Sequence, residues 1–527
     1  MSSIIGGIPP SLRTPLTALL VGFPVLWWIR NVILGRSRNA QGLPFAPGPK
    51  PLPLVGNIRD IVFERECETY MEWSKTYGDI IGLNVIGQPL VYVNTAEAAH
   101  EIFEKRSSIY SDRVITPMME MMGLADWPLV ILEYGSTWRK HRKIFHGRFH
   151  PGAASAFWPL HAKATSELLL NLLKDPADYV EHLRYLGGSV LVEMTYGFAV
   201  KNRDDPFLKL ADDGINAFAE ISKPGAFYVD VIPILRYLPE WVPFTSFKKQ
   251  AREWRKTFDG LREEPWDVVK DMIKNGRAVT SFATTMIEES QGDSSVTEYD
   301  YQGAAATTYG GEFSPLMLTT LESFILAMVL YPEAQKEAQK ELSAVVGDKR
   351  LPDFEDRESL PYVEALLKEL YRWNPALPLG VPHRLMEDDI YKGSFIPKGT
   401  IVFGNAWAIL HDEKIYGPDA DKFRPSRYLD NPDLPDPRLG GTFGFGRRIC
   451  PGRHFADALV WLALTSVLAT FDIRKEVDAQ GKEVSFTPEF TSGFFHRPLP
   501  FKCQITPRSP ALRSLIVKTA EEYAASK

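Results

Sequence analysis

A mainly α-helical body with a small β portion, preceded by an N-terminal membrane anchor, is the fold class the sequence predicts. Three observations predict it. Apolar residues recur at helical spacing around Glu322–Tyr331, Pro332–Val346 and Ser359–Trp373. The segment IIGLNVIGQPLVYV, Ile80–Val93, alternates as a β-hairpin does. The run TPLTALLVGFPVLWWI, Thr14–Ile29, carries no charge.

Arg30 interrupts that run, and Asn31–Leu34 extends it to about the 20 residues a bilayer-spanning helix needs. Arg30 can snorkel from a helix end, and Trp27 and Trp28 suit the membrane interface. Arg36 and Arg38 follow, which favours a cytosolic side for everything downstream. The competing readings are a signal peptide, for which WWIRNVILGR lacks a small-residue cleavage site, and a buried core helix. Pro24 weakens a helix without excluding it. In Leu43–Asn57, LPFAPGPKPLPLVGN, proline recurs too often for a helix and predicts a stiff, extended connector. The expected organisation is an anchor at 1–38, a proline hinge at 39–57, one large body at 58–510 and a tail at 511–527. The polar stretch Asn275–Asp300 is expected to be a surface loop.

With 527 residues, 45% hydrophobic and 24% charged, the chain is neither disordered, collagenous nor a coiled coil. A net charge of -6 gives no signal for nucleic acid. Three cysteines, Cys67, Cys450 and Cys503, are too few for a disulfide framework. A cysteine in a marked setting is therefore a candidate for ligation or chemistry.

Cys450 has such a setting. It lies in FGFGRRICPG, Phe443–Gly452, directly before the apolar run HFADALVWLALTSVLATF. Gly444, Gly446, Gly452 and Pro451 force a tight loop, so Cys450 falls at a helix N-terminus, where amides and dipole stabilise a thiolate. Arg447 and Arg448 add positive charge. Such a thiolate can be a nucleophile, a redox thiol or an axial haem ligand. A nucleophile needs a partnered base, and His454 would point one turn into the helix. A redox or metal site would want a second cysteine nearby. Haem iron needs one thiolate, an apolar wall and cations for two propionates. A buried inert cysteine leaves the glycines and arginines unexplained.

The pattern Phe443-x-x-Gly446-x-Arg448-x-Cys450-x-Gly452 resembles the haem-binding signature of the cytochrome P-450 superfamily at every signature position. Other motifs fall in the family's order. Glu369 and Arg372, in KELYRWNP, resemble its Glu-x-x-Arg pair, and FRPSRY at Phe423–Tyr428 resembles the motif whose Arg427 completes that structural charge network. Trp138 and Arg142, in WRKHR, and His383, in PHR, resemble the family's propionate contacts. Each short motif is weak alone; together, in order around one glycine-framed cysteine, they are specific. The resemblance implies the cytochrome P-450 haem-thiolate fold, haem b with Cys450 as axial iron ligand, and cofactor binding by Trp138, Arg142, His383, Phe443, Arg448, Cys450 and Gly452. It also implies electrons from NADPH through a separate NADPH-cytochrome P-450 reductase, with cytochrome b5 as a second donor, and an endoplasmic reticulum membrane location. No glycine-rich turn joins an expected strand to a helix, so NADPH is not expected on this chain. Arg139, Lys140, Lys143 and Arg453 form a basic set whose default reading is a solvated face; the resemblance adds docking of an acidic electron donor.

One segment departs from the family. Monooxygenases of this kind carry an acid–alcohol pair mid-way along their central helix. Here the stretch is TTYGGEFSPLMLTTLESF, Thr307–Phe324. Counting back from LESFILAM puts the pair on Pro315 and Leu316; counting forward from TTYGG puts it on Phe313 and Ser314. Glu312 and Ser314 are the nearby groups able to relay protons, with Pro315 opening the helix. Three readings stay open: a relay through Glu312, Ser314 and water; a haem-thiolate isomerase or dehydratase, or a catalytically impaired haem protein; or a splice or gene-model artefact in this segment.

SIYSDR, Ser108–Arg113, and Lys223–Phe244 resemble fungal tailoring enzymes grouped with O-methylsterigmatocystin oxidoreductase and tryptamine 4-monooxygenase. That implies oxygen insertion into a small, largely apolar specialised metabolite of terpenoid, polyketide or indole type. The pocket is expected from Leu124–Leu132, Ala217–Val231, the central helix and the turn Ser492–Phe495.

Overall fold

The computed structural model describes residues 38–223, 225–242, 245–290, 296–310 and 313–525. All but the last residue of the expected anchor therefore lies outside the described residues, as does Glu312. Among the described residues, no single helix is long and apolar enough to cross a membrane.

Helices dominate, and burial explains them. Helix α1 (Ser136–Phe149) buries Trp138, His141, Phe145 and Phe149 on one stripe. Helices α2 (Trp158–Lys174) and α3 (Phe247–Lys274) follow, then α4 (Phe282–Ser290) and α5 (Glu298–Tyr309). Next come α6 (Phe313–Leu330), α7 (Pro332–Val345) and α8 (Pro361–Trp373). Helix α9 (Arg453–Thr470) is buried at every position from Phe455 on, so it forms the axis of the core rather than one wall. Helix α10 (Pro510–Ala525) buries Leu512 and Ile516.

The expected hairpin is present. Strands β1 (Ile80–Val85) and β2 (Gln88–Val93) pair antiparallel, with Ile80 opposite Val93. Strands β3 (Asp112–Arg113) and β4 (His383–Arg384) are two residues each; β5 (Asp389–Tyr391) and β6 (Ser394–Ile396) form a separate hairpin. Strand β7 (Ile401–Gly404) completes the main sheet in the order β1-β2-β7-β4-β3. In that sheet Arg113 lies directly opposite His383, which brings two residues 270 positions apart to one spot. Strands β8 (Phe471–Lys475) and β9 (Cys503–Pro507) pair near the chain's end.

The proline segment is non-helical and lies along the sheet. Gly82 N–H donates to Pro47 O (2.7 Å), Asn57 N–H to Asn84 O (2.6 Å) and Phe395 N–H to Pro44 O (2.8 Å). Two expectations need correction. Asn275–Asp300 is not all loop: α4 lies within it, because Phe282, Ala283 and Met286 share a buried face. Its last residues begin α5, where Thr297 and Asp300 form a reciprocal N-terminal cap. Pro315 does not open the central helix from within. Helix α5 ends at Tyr309 with Gly310 as its C-cap, and Pro315 falls in the first turn of α6, where a missing N–H costs no hydrogen bond.

Glu369, Arg372 and Arg427 form the expected network, fully buried. Arg372 grips Glu369 with two bonds, Nε to Oε2 (2.7 Å) and Nη2 to Oε1 (2.8 Å). Its remaining donors reach the carbonyls of Leu410, Ala420 and Lys422. Arg427 approaches Glu369 Oε1 at 3.4 Å and pairs with Asp419 at 2.9 Å, a partner not evident in the sequence. The network pins α8 to the segment 410–427 that leads to the cysteine loop. Glu369→Ala leaves two buried guanidiniums short of a counter-charge and is expected to destabilise the fold by about 3–5 kcal/mol. Denaturant unfolding of the variant checks this, and an unchanged midpoint would contradict it.

Candidate active site

The cysteine loop takes its shape from a close backbone approach. At Gly446 the backbone is left-handed (φ +53°), and a Cβ there would stand 2.0 Å from the carbonyl oxygen of Phe103. Only glycine meets both conditions. Gly446 N–H donates to Glu104 Oε1 (2.8 Å), Phe445 stacks on Phe103 (4.9 Å), and Cys450 N–H donates to Phe443 O (2.8 Å). Gly452, the N-cap of α9, has φ −87°, a value open to any residue, so no backbone demand for glycine arises there. Cys450 thus sits two residues before the cap of a buried helix and outside any disulfide.

Cys450 lines a cavity of about 1260 Å³, open mouth included. Its walls bring together Trp138, Arg142, His383, Phe443, Arg448 and Cys450, each expected from the sequence. Thr307, Leu316, Met317 and Thr320 come from α5 and α6. Of Ser314 only the backbone, in the first turn of α6, is described.

Three guanidiniums border the cavity. Arg448 is 8% exposed and donates only to carbonyls: Nε to Ser111 O (2.7 Å), Nη1 to Leu129 O (3.2 Å) and Nη2 to Leu132 O (2.6 Å). It lies 4.7 Å over the Trp138 ring. Arg142 donates to Ile449 O (2.7 Å), beside the cysteine. Arg113 Nη1 reaches the carbonyls of Val381 and Pro382 (2.5 and 2.9 Å). Burial, reinforced by repulsion from Arg113 and Arg142, pulls Arg448 down to about 8. Burial also lowers Arg142. The Asp112 carboxylate offsets part of this charge at Arg448, and the remainder favours an anionic ligand. A ligand with two carboxylates and an apolar body relieves it, so the donor set fits haem.

His383 is buried opposite Arg113 and bonds through Nδ1 to Tyr110 O (2.6 Å). Burial and the neighbouring Arg113 hold it well below its usual range, so the ring is neutral and Nδ1 donates. In that tautomer Nε2 carries no proton, and a carboxylate contact there requires the ring to take one up. Arg113 was missing from the sequence-derived site, although SIYSDR contains it; only the β3–β4 register shows that it faces the cavity. Tyr371 also lines the cavity, with its ring 5.3 Å from Phe443.

A second, mainly apolar pocket of about 540 Å³, mouth included, adjoins the first and shares Val130 and Thr307 with it. Leu124, Trp127 and Phe495 line it as expected. The third wall meets expectation in part: Phe218 of the expected segment lines it, Gly214 and Ile215 extend it beyond that segment, and Tyr228 and Val231 face outward. Phe258 and Leu261 of α3 add a side the sequence did not indicate. In the basic set, Arg139 and Lys143 are exposed, but Lys140 pairs with Asp300 (3.0 Å) and Arg453 donates to Cys450 O (3.2 Å).

The fold and the cysteine-centred cavity define a haem-thiolate protein, and comparison with known proteins agrees. The cytochrome P-450 family profile matches residues 46–504, and the chain belongs to that family. Cytochrome P-450 monooxygenase COX2 of Coprinopsis cinerea is 42% identical over 503 residues, covering 94% of both chains. Cytochrome P-450 monooxygenase 98 of Postia placenta is 41% identical over 524 residues, 97% of this chain and 99% of its own. A cytochrome P-450 monooxygenase of Armillaria gallica is 39% identical over 93% of this chain and 96% of its own. This chain is accordingly an oxidoreductase of the cytochrome P-450 monooxygenase type, and the family implies haem with thiolate ligation of iron.

Gly446→Ala is expected to abolish stable haem loading, read as the haem absorbance of purified protein, because neither the φ nor the approach to Phe103 survives a methyl group. Arg142→Gln removes one charge-assisted contact and is expected to speed haem transfer to a scavenger protein about tenfold. Transfer at the wild-type rate would remove Arg142 from the cofactor site.

Proposed function

We propose that the chain inserts one oxygen atom from dioxygen into a small, largely apolar specialised metabolite of terpenoid, polyketide or indole type. The reading rests above all on the glycine-framed Cys450 opening into a cavity bordered by Arg113, Arg142 and Arg448. Cys450 would hold the haem iron through its thiolate, its backbone fixed just before α9 by the bond from its own N–H to Phe443 O. Arg142 and Arg448 would hold the propionates, together with Arg113, Trp138 and His383. When bound, a haem with thiolate ligation supplies reductive activation of dioxygen, its electron donation favouring O–O cleavage. Around it, Leu316, Met317, Val130 and Leu129 exclude water and orient an apolar substrate, while Thr307 and Thr320 place hydroxyls on the cavity wall.

Electrons come from NADPH through a separate reductase, with cytochrome b5 as a further donor. The exposed Arg139, Lys143 and Arg447 suit an acidic partner. The uncharged run at Thr14–Ile29 and exposed apolar side chains at Leu54, Tyr237 and Trp241 support a membrane-bound protein of the endoplasmic reticulum with its body in the cytosol. Pro315 and Leu316, where one alignment of the central helix expects an acid and an alcohol, favour a second reading, an isomerase or dehydratase that needs no dioxygen scission.

Removing the gene from its host and growing the intact strain under labelled dioxygen separates the two. Monooxygenation predicts that a compound disappears and that it carries one labelled oxygen more than the precursor that accumulates. A product that differs from its precursor by rearrangement or water loss, without label, would overturn monooxygenation and support the second reading.

A further inference from the structure

The turn that carries Phe494 and Phe495 is tied to α6 by two adjacent side chains of that helix. Glu322, 3% exposed, takes Arg497 in a two-bond ion pair (2.6 and 2.7 Å). Next to it, Ser323 is fully buried and reaches the same turn through Asn374, itself 2% exposed at the C-terminus of α8. Asn374 Nδ2 donates to Ser323 Oγ (2.6 Å) and to His496 O (3.2 Å), and its Oδ1 meets His496 Nδ1 at 2.6 Å.

Only one arrangement of donors satisfies this cluster. Ser323 Oγ–H donates to Thr319 O (2.7 Å), so the hydroxyl must accept from Asn374. Burial holds His496 down to about 4, so its ring is neutral, and Nδ1–H must donate to Asn374 Oδ1. Reversing the amide would set its oxygen against the His496 carbonyl, at a buried site where such a mismatch is costly. The imidazole is gripped further by Phe490, stacked at 4.5 Å, and by Trp407, edge-on at 4.9 Å. His496 N–H donates to Ala376 O (3.0 Å), and Ala376 lines the cysteine cavity.

The far end of the turn faces the ligand space. Phe495 lines the outer pocket, and Phe494 meets Phe218, another lining residue, at 5.6 Å. The same α6 presents Leu316, Met317 and Thr320 to the inner cavity. We propose that Asn374 is a positioning residue for substrate selection: with Ser323 and His496, and supported by Glu322–Arg497, it sets how far the Phe494–Phe495 tip reaches over the cavity. The side chain touches no substrate. It holds three cavity-lining segments, α6, Ala376–Leu377 and the aromatic turn, at fixed separations.

The inference rests on the cavity being the haem and substrate site, and the test keeps the two apart. The full chain is loaded with haem as wild type, Ser323→Ala and Asn374→Ala; the serine variant removes one hydroxyl and remains informative if the asparagine variant does not fold. Amide exchange across 490–498 is expected to quicken about tenfold in Ser323→Ala while α9 stays protected. Imidazole and clotrimazole, read by their haem spectral shifts, are expected to separate. Affinity for imidazole stays within about twofold, and affinity for the bulky azole falls about tenfold. Unchanged exchange in the turn, or equal weakening of both azoles, would overturn the role given to Asn374. A wild-type protein whose haem lacks a thiolate-type carbonyl spectrum would instead overturn the haem-thiolate reading, and the exchange result would still decide whether Asn374 holds the turn.

Discussion

Repulsion among three guanidiniums, Arg113 and Arg448 buried and Arg142 half-buried, is the constraint around which the rest of the site is arranged. Arg113, Arg142 and Arg448 come from a strand, a helix and the cysteine loop, and border one cavity. Burial and mutual repulsion pull Arg448 down to about 8, so the protein alone carries an electrostatic cost there. Carbonyl oxygens of Ser111, Leu129, Leu132 and Ile449 hold the arginines in place without neutralising them. An anionic cofactor would offset that cost on binding, beside a His383 ring held neutral by burial and Arg113.

Placement of these charges depends on parts of the fold far from them in sequence. The two-residue pairing of β3 with β4 sets Arg113 opposite His383. Gly446, pressed against the Phe103 carbonyl, fixes where the loop turns before Cys450. The buried Glu369–Arg372–Arg427 network holds the chain leading into that loop. Helix α9 then anchors the cysteine from the core side, being buried along nearly its whole length. Chemistry at the cysteine thus rests on backbone contacts that tolerate little change, while the aromatic turn at Phe494–Phe495 hangs on side chains.

Local patterns were legible in the sequence and long-range ones were not. The cysteine loop could be read because its glycines and arginines are contiguous, and the Ile80–Val93 hairpin because period-two alternation needs no partner. Arg113 could not be assigned, since its place follows from a register with a residue 270 positions away. Asp419 was missed for a different reason: it meets Arg427 eight residues on through a turn, which has no helical or strand period to read. Helix α4 was hidden because three buried apolar residues sit between polar flanks, and composition averaged them out. Lys140 read as surface charge, but Asp300, on another helix, claims it. Pro315 was read as a helix-opening residue, yet a proline in a first turn starts a helix as readily as one in the interior breaks it.

The central claim is that Cys450 supplies a thiolate to iron in a cavity shaped by these arginines. The most direct measurement is the absorbance of the reduced carbonyl complex of the purified protein beside Cys450→His. The wild type should give the long-wavelength band characteristic of a thiolate-ligated haem, and the histidine variant should retain haem while shifting that band to the shorter wavelength of imidazole ligation. The same long-wavelength band in both proteins would contradict the account, because iron would then take its axial ligand from somewhere other than Cys450.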